Sequence, residues 1–165
     1  MKAMVIYDSQ FGNTAQIAQA VGRGLSEALG SRDEVSVRHI GEVQAGSLAG
    51  CAVLVVGSPT QKFRATSAIK DLLKNLPKNA LRGVRTAAFD TRLAEEEINA
   101  HKMLNKFVDI FGYAAQPIDD GLQKKGGQQA ALPTGFYVAG TEGPLLEGEL
   151  ERATAWGRQI AAGGS

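Results

Sequence analysis

Short apolar runs alternate along the chain with longer stretches in which apolar residues return at helical spacing, the pattern of strand-helix units that build a parallel sheet. Lys2 to Tyr7 reads as the first strand. From Thr14 onward Ile17, Val21, Leu25 and Leu29 recur every four residues on one helical face, and Gly30 stands where that helix can end. Val35 and Val37 alternate with Ser36 and Arg38, as in a half-exposed strand. Cys51 to Val56 is instead a continuous apolar run, suited to a strand covered on both faces and so nearer the middle of the sheet.

Further along, Ile69, Leu72, Leu73 and Leu76 predict another helical face, closed by Pro77, and Val84 to Phe89 a fourth strand. Glu95, Glu96 and Glu97 suit the positive end of a helix dipole. They open a helix whose buried side is Ile98, Leu104, Phe107, Val108 and Phe111, with Gly112 ending it. A fifth strand is expected at about Ala114 to Ile118, interrupted by a Gly-, Gln- and Lys-rich excursion from Asp119 to Pro133 and resumed from Gly135 to Ala139. Leu150, Ala153, Trp156 and Ile160 mark a final helix within Leu146 to Ala162. The sum is five strand-helix units with no internal repeat or linker, and 165 residues suit one domain over 1–165.

Composition narrows the function classes. Eighteen Lys and Arg against seventeen Asp and Glu leave a net charge of +1, with the signs interspersed, so electrostatic capture of nucleic acid or an anionic membrane is not expected. No run approaches the ~20 apolar residues of a membrane span, and the N-terminal apolar run is too short for the core of a signal peptide. Cys51 is the one cysteine; with two distant histidines it supplies no metal-ligand spacing, and a lone thiol fits a cytoplasmic setting. His39, on an edge strand, and His101, on the Glu-rich helix, stand outside any motif. Trp156 falls on an apolar stripe and reads as core.

In an open parallel sheet ligands bind beyond the carboxyl ends of the strands, near the point where strand order reverses. The loop after strand one is Ser9-Gln10-Phe11-Gly12-Asn13-Thr14. Hydroxyls at both ends, a glycine between them and a run of N–H groups at a helix N-terminus make a nest for a phosphate group. The loop has neither the lysine nor the spacing of an NTP-binding P-loop. Gly22 and Gly24 fall inside the first helix, which excludes the G-x-G-x-x-G dinucleotide fingerprint. A terminal phosphomonoester fits best. Asp8 suggests a phosphoacceptor, but strand three ends in Gly57-Ser58 and offers no second strand-end Asp.

The first loop, with Phe11 in place of a middle threonine, resembles the phosphate loop of the flavodoxin family. Val55 to Thr60, Ala87 to Arg92 and Gly135 to Val138 resemble the same family in the same order along nearly the whole chain. The resemblance implies a three-layer α/β/α sandwich with a five-stranded parallel sheet in the order 2-1-3-4-5, and FMN at the switch point. It implies a phosphate site at Ser9, Gln10, Gly12, Asn13 and Thr14, with Phe11 in the same cofactor-binding loop. Ser58, Pro59 and Thr60 would lie against ribityl and isoalloxazine, with Gln61, Lys62, Phe63 and Arg64 on one flank of the ring and Asp90, Thr91 and Arg92 on the other. Phe63 is the aromatic offered by the first flank; the second offers none.

A monomer or weak dimer that carries electrons between redox partner proteins is the implied function, without a metal or a catalytic side chain. An FMN-dependent oxidoreductase acting on a quinone or porphyrinogen is the alternative class, and a binding or sensing module that kept the fold is a third. Lys62, Arg64 and Arg92, where they face the ring, would stabilise the reduced anion and make this protein a weaker reductant than an acidic flavodoxin.

Overall fold

The computed structural model describes residues 1–44, 46–61, 64–94 and 113–163. The helix expected from Glu95 to Phe111, with His101, lies outside the described residues, as do Lys62 and Phe63. Strands β1 (Lys2–Tyr7), β2 (Glu34–His39), β3 (Cys51–Pro59), β4 (Arg85–Leu93), β5 (Gln128–Gln129) and β6 (Thr134–Val138) form one sheet. Its order is β2-β1-β3-β4-β5, and β6 also pairs with β4. Every one of these pairings is parallel, which requires a crossover between neighbours. Helices α1 (Asn13–Ala28), α2 (Ser67–Asn75), α3 (Ala115–Lys124) and α4 (Glu149–Ala161) supply crossovers and cover the faces.

Strand alternation divides the interior into two cores, giving three layers. Ala3, Val5, Val53, Val55, Ala87 and Phe89 point toward α1 and α4, where they meet Ile17, Val21, Leu25, Trp156 and Ile160. Met4, Ile6, Leu54, Val56 and Ala88 point the other way, to Ile69, Leu73, Ile118 and Leu122 of α2 and α3. Edge strand β2 is half-exposed, whereas β3 is buried along most of its length, as the two sequence patterns imply.

The fifth sheet position differs from the sequence expectation. Ala114 to Ile118 is no strand: Ala115 opens α3, and Ala115, Ile118 and Leu122 fall on its buried face. Pro117 sits in the first turn, where its missing N–H removes no intrahelical bond. The fifth position is instead filled by β5 and β6, both hydrogen-bonded to β4; the Ala130 N–H still donates to the Thr86 carbonyl at 2.8 Å, and 131–133 lead from there to β6. Asp119 ties α3 to β5: its Oδ2 accepts from Gln123 Nε2 at 2.6 Å and Gln129 Nε2 at 2.7 Å, while Oδ1 is buried without a hydrogen-bond partner among the described residues. Burial pushes this carboxyl above its ordinary range, against the pull of the two amides.

Glycines set the spacing of the α1–α4 layer. A β carbon at Gly24 would stand 1.9 Å from the Thr154 carbonyl oxygen, and one at Gly157 would stand 2.3 Å from the Val21 carbonyl oxygen. The two helices therefore touch backbone to backbone. At the far end of the layer, α4 is joined to β6 by the Tyr137 N–H, which Glu149 accepts at 2.8 Å, and by Arg152 Nη2, which donates to the Gly135 carbonyl at 2.6 Å, while two bonds from Arg152 to Glu149, at 2.6 and 2.9 Å, hold the pair together within the helix.

Gly24→Ala should lower the unfolding free energy by about 1–3 kcal/mol, because overpacking against a rigid backbone outweighs the gain of about 0.8–1.0 kcal/mol in helix propensity. Urea titration measures the difference, and a variant as stable as wild type would contradict backbone contact. Burial raises the Glu149 carboxyl, but the Arg152 bonds, the Tyr137 N–H and the Arg152 charge together bring it below its ordinary 4.5. Its stabilisation is thus present above pH 4.5 and lost as pH falls through the lower folded value. Thermal melts across that acid range should converge for wild type and Glu149→Gln, with wild type the more stable at neutral pH.

Candidate functional site

The carboxyl ends of β1, β3, β4 and β6 open on a cavity of about 800 Å³. Gln10, Phe11, Asn13 and Thr14 form one side, and Pro59, Thr60, Gln61 and Arg64 the other. Thr91, Arg92 and Leu93 line it from β4, with Val138 at the end of β6 and Thr141 beyond it. Its size falls within the ~300–1,000 Å³ typical of small-molecule sites. A smaller recess of about 300 Å³, lined by Asp8, Ser9, Thr66 and Ser67, adjoins it at Gln10 and Gln61.

The first loop is held open by its own hydrogen bonds. Ser9 Oγ accepts the N–H groups of Gly12 at 3.1 Å and Ala15 at 3.4 Å. Gly12 precedes the helix at φ 92°, a left-handed conformation that a side chain would strain, and it turns the chain directly into α1. Asn13 and Thr14 then open the helix, so their N–H groups are among those that an α-helix cannot satisfy from its own carbonyls. The positive end of the α1 dipole and these donors meet at the cavity edge. Asn13 Nδ2 donates to the Glu142 carbonyl at 3.2 Å, and the Thr14 and Thr91 hydroxyls share a hydrogen bond of 2.7 Å, which fixes the loop to β4.

Gln61 and Arg64 exchange both backbone bonds, at 2.8 and 2.9 Å. Gln61 Nε2 donates to Gln10 Oε1 at 2.5 Å, a bridge from this pair to the first loop. Phe11 is 45% exposed at the cavity lip.

Of the residues expected from the sequence, Gln10, Phe11, Asn13, Thr14, Pro59, Thr60, Gln61, Arg64, Thr91 and Arg92 line the cavity, Ser9 lines the adjoining recess, and Gly12, Ser58 and Asp90 line neither. Ser58 is fully enclosed: its hydroxyl donates to the Pro59 carbonyl at 2.9 Å and accepts the Thr66 N–H at 3.0 Å. It braces the wall from behind, since the side chain at that register points into the protein. Asp90 is likewise fully buried, bonded to Arg92 at 2.6 and 2.7 Å and to the Ala115 N–H at 2.9 Å. Burial pushes its carboxyl up, opposed by the Arg92 bonds and charge, the Ala115 N–H and Thr60.

Other lining residues carried no motif in the sequence. Ala65, Thr66, Ser67 and Lys70 arrive with the start of α2, and Tyr113 stands just before α3. The one available signal was Thr66-Ser67 ahead of an apolar helical face, a helix-start pattern, and the Thr66 side chain does cap α2 at Ile69 N. Among the described lining residues the charged ones are Arg64, Lys70 and Arg92. His39 lies away from the cavity on β2, its Nε2 3.3 Å from Asp8 Oδ1 and its Nδ1 accepting the Gly41 N–H. Cys51 is buried, its thiol pushed up by desolvation and donating to the Val53 carbonyl.

The family model described as flavodoxin matches residues 5–156. A flavodoxin of Aquifex aeolicus is 29% identical over 167 aligned residues, which span 97% of this chain and 85% of that protein. Oxidised flavodoxin 1 of Bacillus cereus superposes with a TM-score of 0.75 at 17% identity over the whole of both chains. A flavodoxin from the Archaea gives 0.74 at 21% identity, covering 98% of this chain and 97% of its own.

Removing the hydroxyl in Ser58→Ala leaves the buried Thr66 N–H without its acceptor. The variant should lose about 1–3 kcal/mol of stability, the usual cost of an unsatisfied buried donor, as a shifted urea midpoint at unchanged slope.

Proposed function

The chain belongs to the flavodoxin family, and from that premise we propose that it holds one FMN noncovalently in the 800 Å³ cavity and passes electrons between redox partner proteins. The observation that carries this reading is the start of α1 at the cavity edge. There the Asn13 and Thr14 N–H groups and the Ser9 and Thr14 hydroxyls surround the helix N-terminus, while the loop itself contains no Lys or Arg. Such a site suits a terminal phosphate held by dipoles and neutral donors. Ser9, Gln10, Gly12, Asn13 and Thr14 would hold the phosphate, and Pro59, Thr60, Gln61, Arg64, Thr91 and Arg92 would flank the ring. When bound, the flavin supplies the storage of one or two electrons.

The protein contributes position and exclusion of water. Thr14 and Thr91, bonded to each other, join the phosphate end to the β4 wall. The Gln10–Gln61 bridge ties the end of the β3 segment to the first loop. No described helix is long and apolar enough to cross a membrane, and the partners are taken to be proteins that dock at the cavity mouth.

Purified protein mixed with FMN should turn yellow and stay so through gel filtration. Riboflavin, which lacks the phosphate, should bind about 100-fold more weakly, since two charge-assisted bonds of roughly 1.5 kcal/mol or more each are lost. A protein that takes up no FMN would refute the proposal. Turnover with NAD(P)H and a quinone, without a protein partner, would move it to the oxidoreductase class.

A further inference from the structure

Arg92 stands on the cavity wall near the end of β4, and three separate features fix its guanidinium. Along one edge, Nε donates to Asp90 Oδ1 at 2.6 Å and Nη2 to Asp90 Oδ2 at 2.7 Å. Over one face lies the Tyr113 ring, its centroid 3.6 Å from Cζ. Beneath it, Gly135 makes room: this residue pairs with Asp90 in the β4–β6 ladder, and a β carbon there would stand 2.2 Å from Arg92 Nε. Positions 90 and 92 are two apart on one strand, so both side chains leave the same face of the sheet. The pairing is thus built into the backbone.

Asp90 is the fixed member. It is wholly buried, and its Oδ2 also accepts the Ala115 N–H at 2.9 Å, which anchors it at the N-terminus of α3. Both carboxylate oxygens accept N–H bonds, the arrangement of the ionised group. A guanidinium remains charged at any ordinary pH. The pair therefore presents the cavity with a dipole of zero net charge, of which Arg92, 16% exposed, is the part in reach of a ligand. Neither bond to Asp90 uses Nη1. A flavin that gains an electron without a proton becomes an anion, and an uncompensated cation at this wall would favour that anion far more than a neutral pair does.

The geometry points to Asp90 as a positioning residue of the flavin site: it clamps Arg92 into a charge-neutral wall stacked on Tyr113, and so withholds the full Arg92 charge from the reduced cofactor. This rests on the reading that the cavity holds FMN. The step affected is the second one-electron reduction, in which an electron from dithionite in the assay enters the one-electron-reduced flavin with no proton taken up at the ring. On this reading Arg92 acts on the ring as half of an ion pair, whereas the sequence-based expectation treats it, with Lys62 and Arg64, as a cation facing the ring. The cation is present, and its counter-ion lies behind it.

Spectroelectrochemical titration of the FMN-loaded protein tests the clamp. Asp90→Asn removes the countercharge yet keeps an acceptor for the Ala115 N–H. It should raise the second midpoint by about 59 mV or more, a tenfold or greater gain in affinity for the fully reduced flavin relative to the one-electron-reduced form. Asp90→Ser, which can also cap α3, should move it in the same direction and serves where Asn does not fold. Asp90→Asn with Arg92→Gln should return the midpoint to within threefold of wild type in the same equilibrium, and Asp90→Glu should stay close to wild type. In ligand-free protein, the Arg92 Nε–H should exchange with solvent slowly in wild type and at least tenfold faster in Asp90→Asn. A yellow wild type whose second midpoint is unmoved by either Asp90 variant, or moved equally in the double variant, overturns the clamp alone. A wild type that takes up no FMN overturns the parent reading and the clamp with it.

Discussion

The close approach of α1 to α4 is the contact on which the site depends. Helix α1 delivers the N–H groups at the cavity edge, and the direction of its axis decides where they point. That axis is set from behind by Ile17, Val21 and Leu25 on the sheet, and laterally by Gly24 and Gly157, where the helix backbones meet. A helix displaced by one side-chain layer would carry Asn13 and Thr14 with it and would break the Thr14–Thr91 bond. Packing far from the cavity is in this sense part of the binding geometry.

Much of this was legible in the sequence because it depends on local periodicity. The four-residue spacing from Ile17 to Leu25 fixes the buried face of α1, and the unbroken run at Cys51 to Val56 marks a central strand. Ala114 to Ile118 was not legible, since a short apolar run with a proline fits a strand or a first helical turn equally well. Only the tertiary setting decides between them: Asp90 and Thr60 supply acceptors for the Ala115 and Ala114 N–H groups, and so start a helix there. The first loop announced itself because its glycine, hydroxyls and helix start are contiguous. Lys70 and Tyr113 reach the same cavity from distant segments, which no local pattern could reveal.

Polar side chains at strand ends anchor the helices around the cavity in a consistent way. Ser58 holds the start of α2 through Thr66, Asp90 holds the start of α3 through Ala115, and Ser9 holds the turn into α1. Helices α1, α2 and α3 are thus each fastened at the start by a side chain from a strand end or from the loop that follows one. The near-balance of charge along the chain has a local counterpart here, since an arginine at the wall comes with its carboxylate.

The divided fifth position has a bearing on how the molecule behaves at high concentration. An unbroken outer strand would offer a row of free backbone donors and acceptors on which another sheet could grow. Here β5 is two residues long, β6 is five, and the chain departs from the sheet between them. A neighbour's strand laid along that side would lose register after a few residues. The interruption therefore works against edge-to-edge aggregation while leaving the cavity end of the sheet intact.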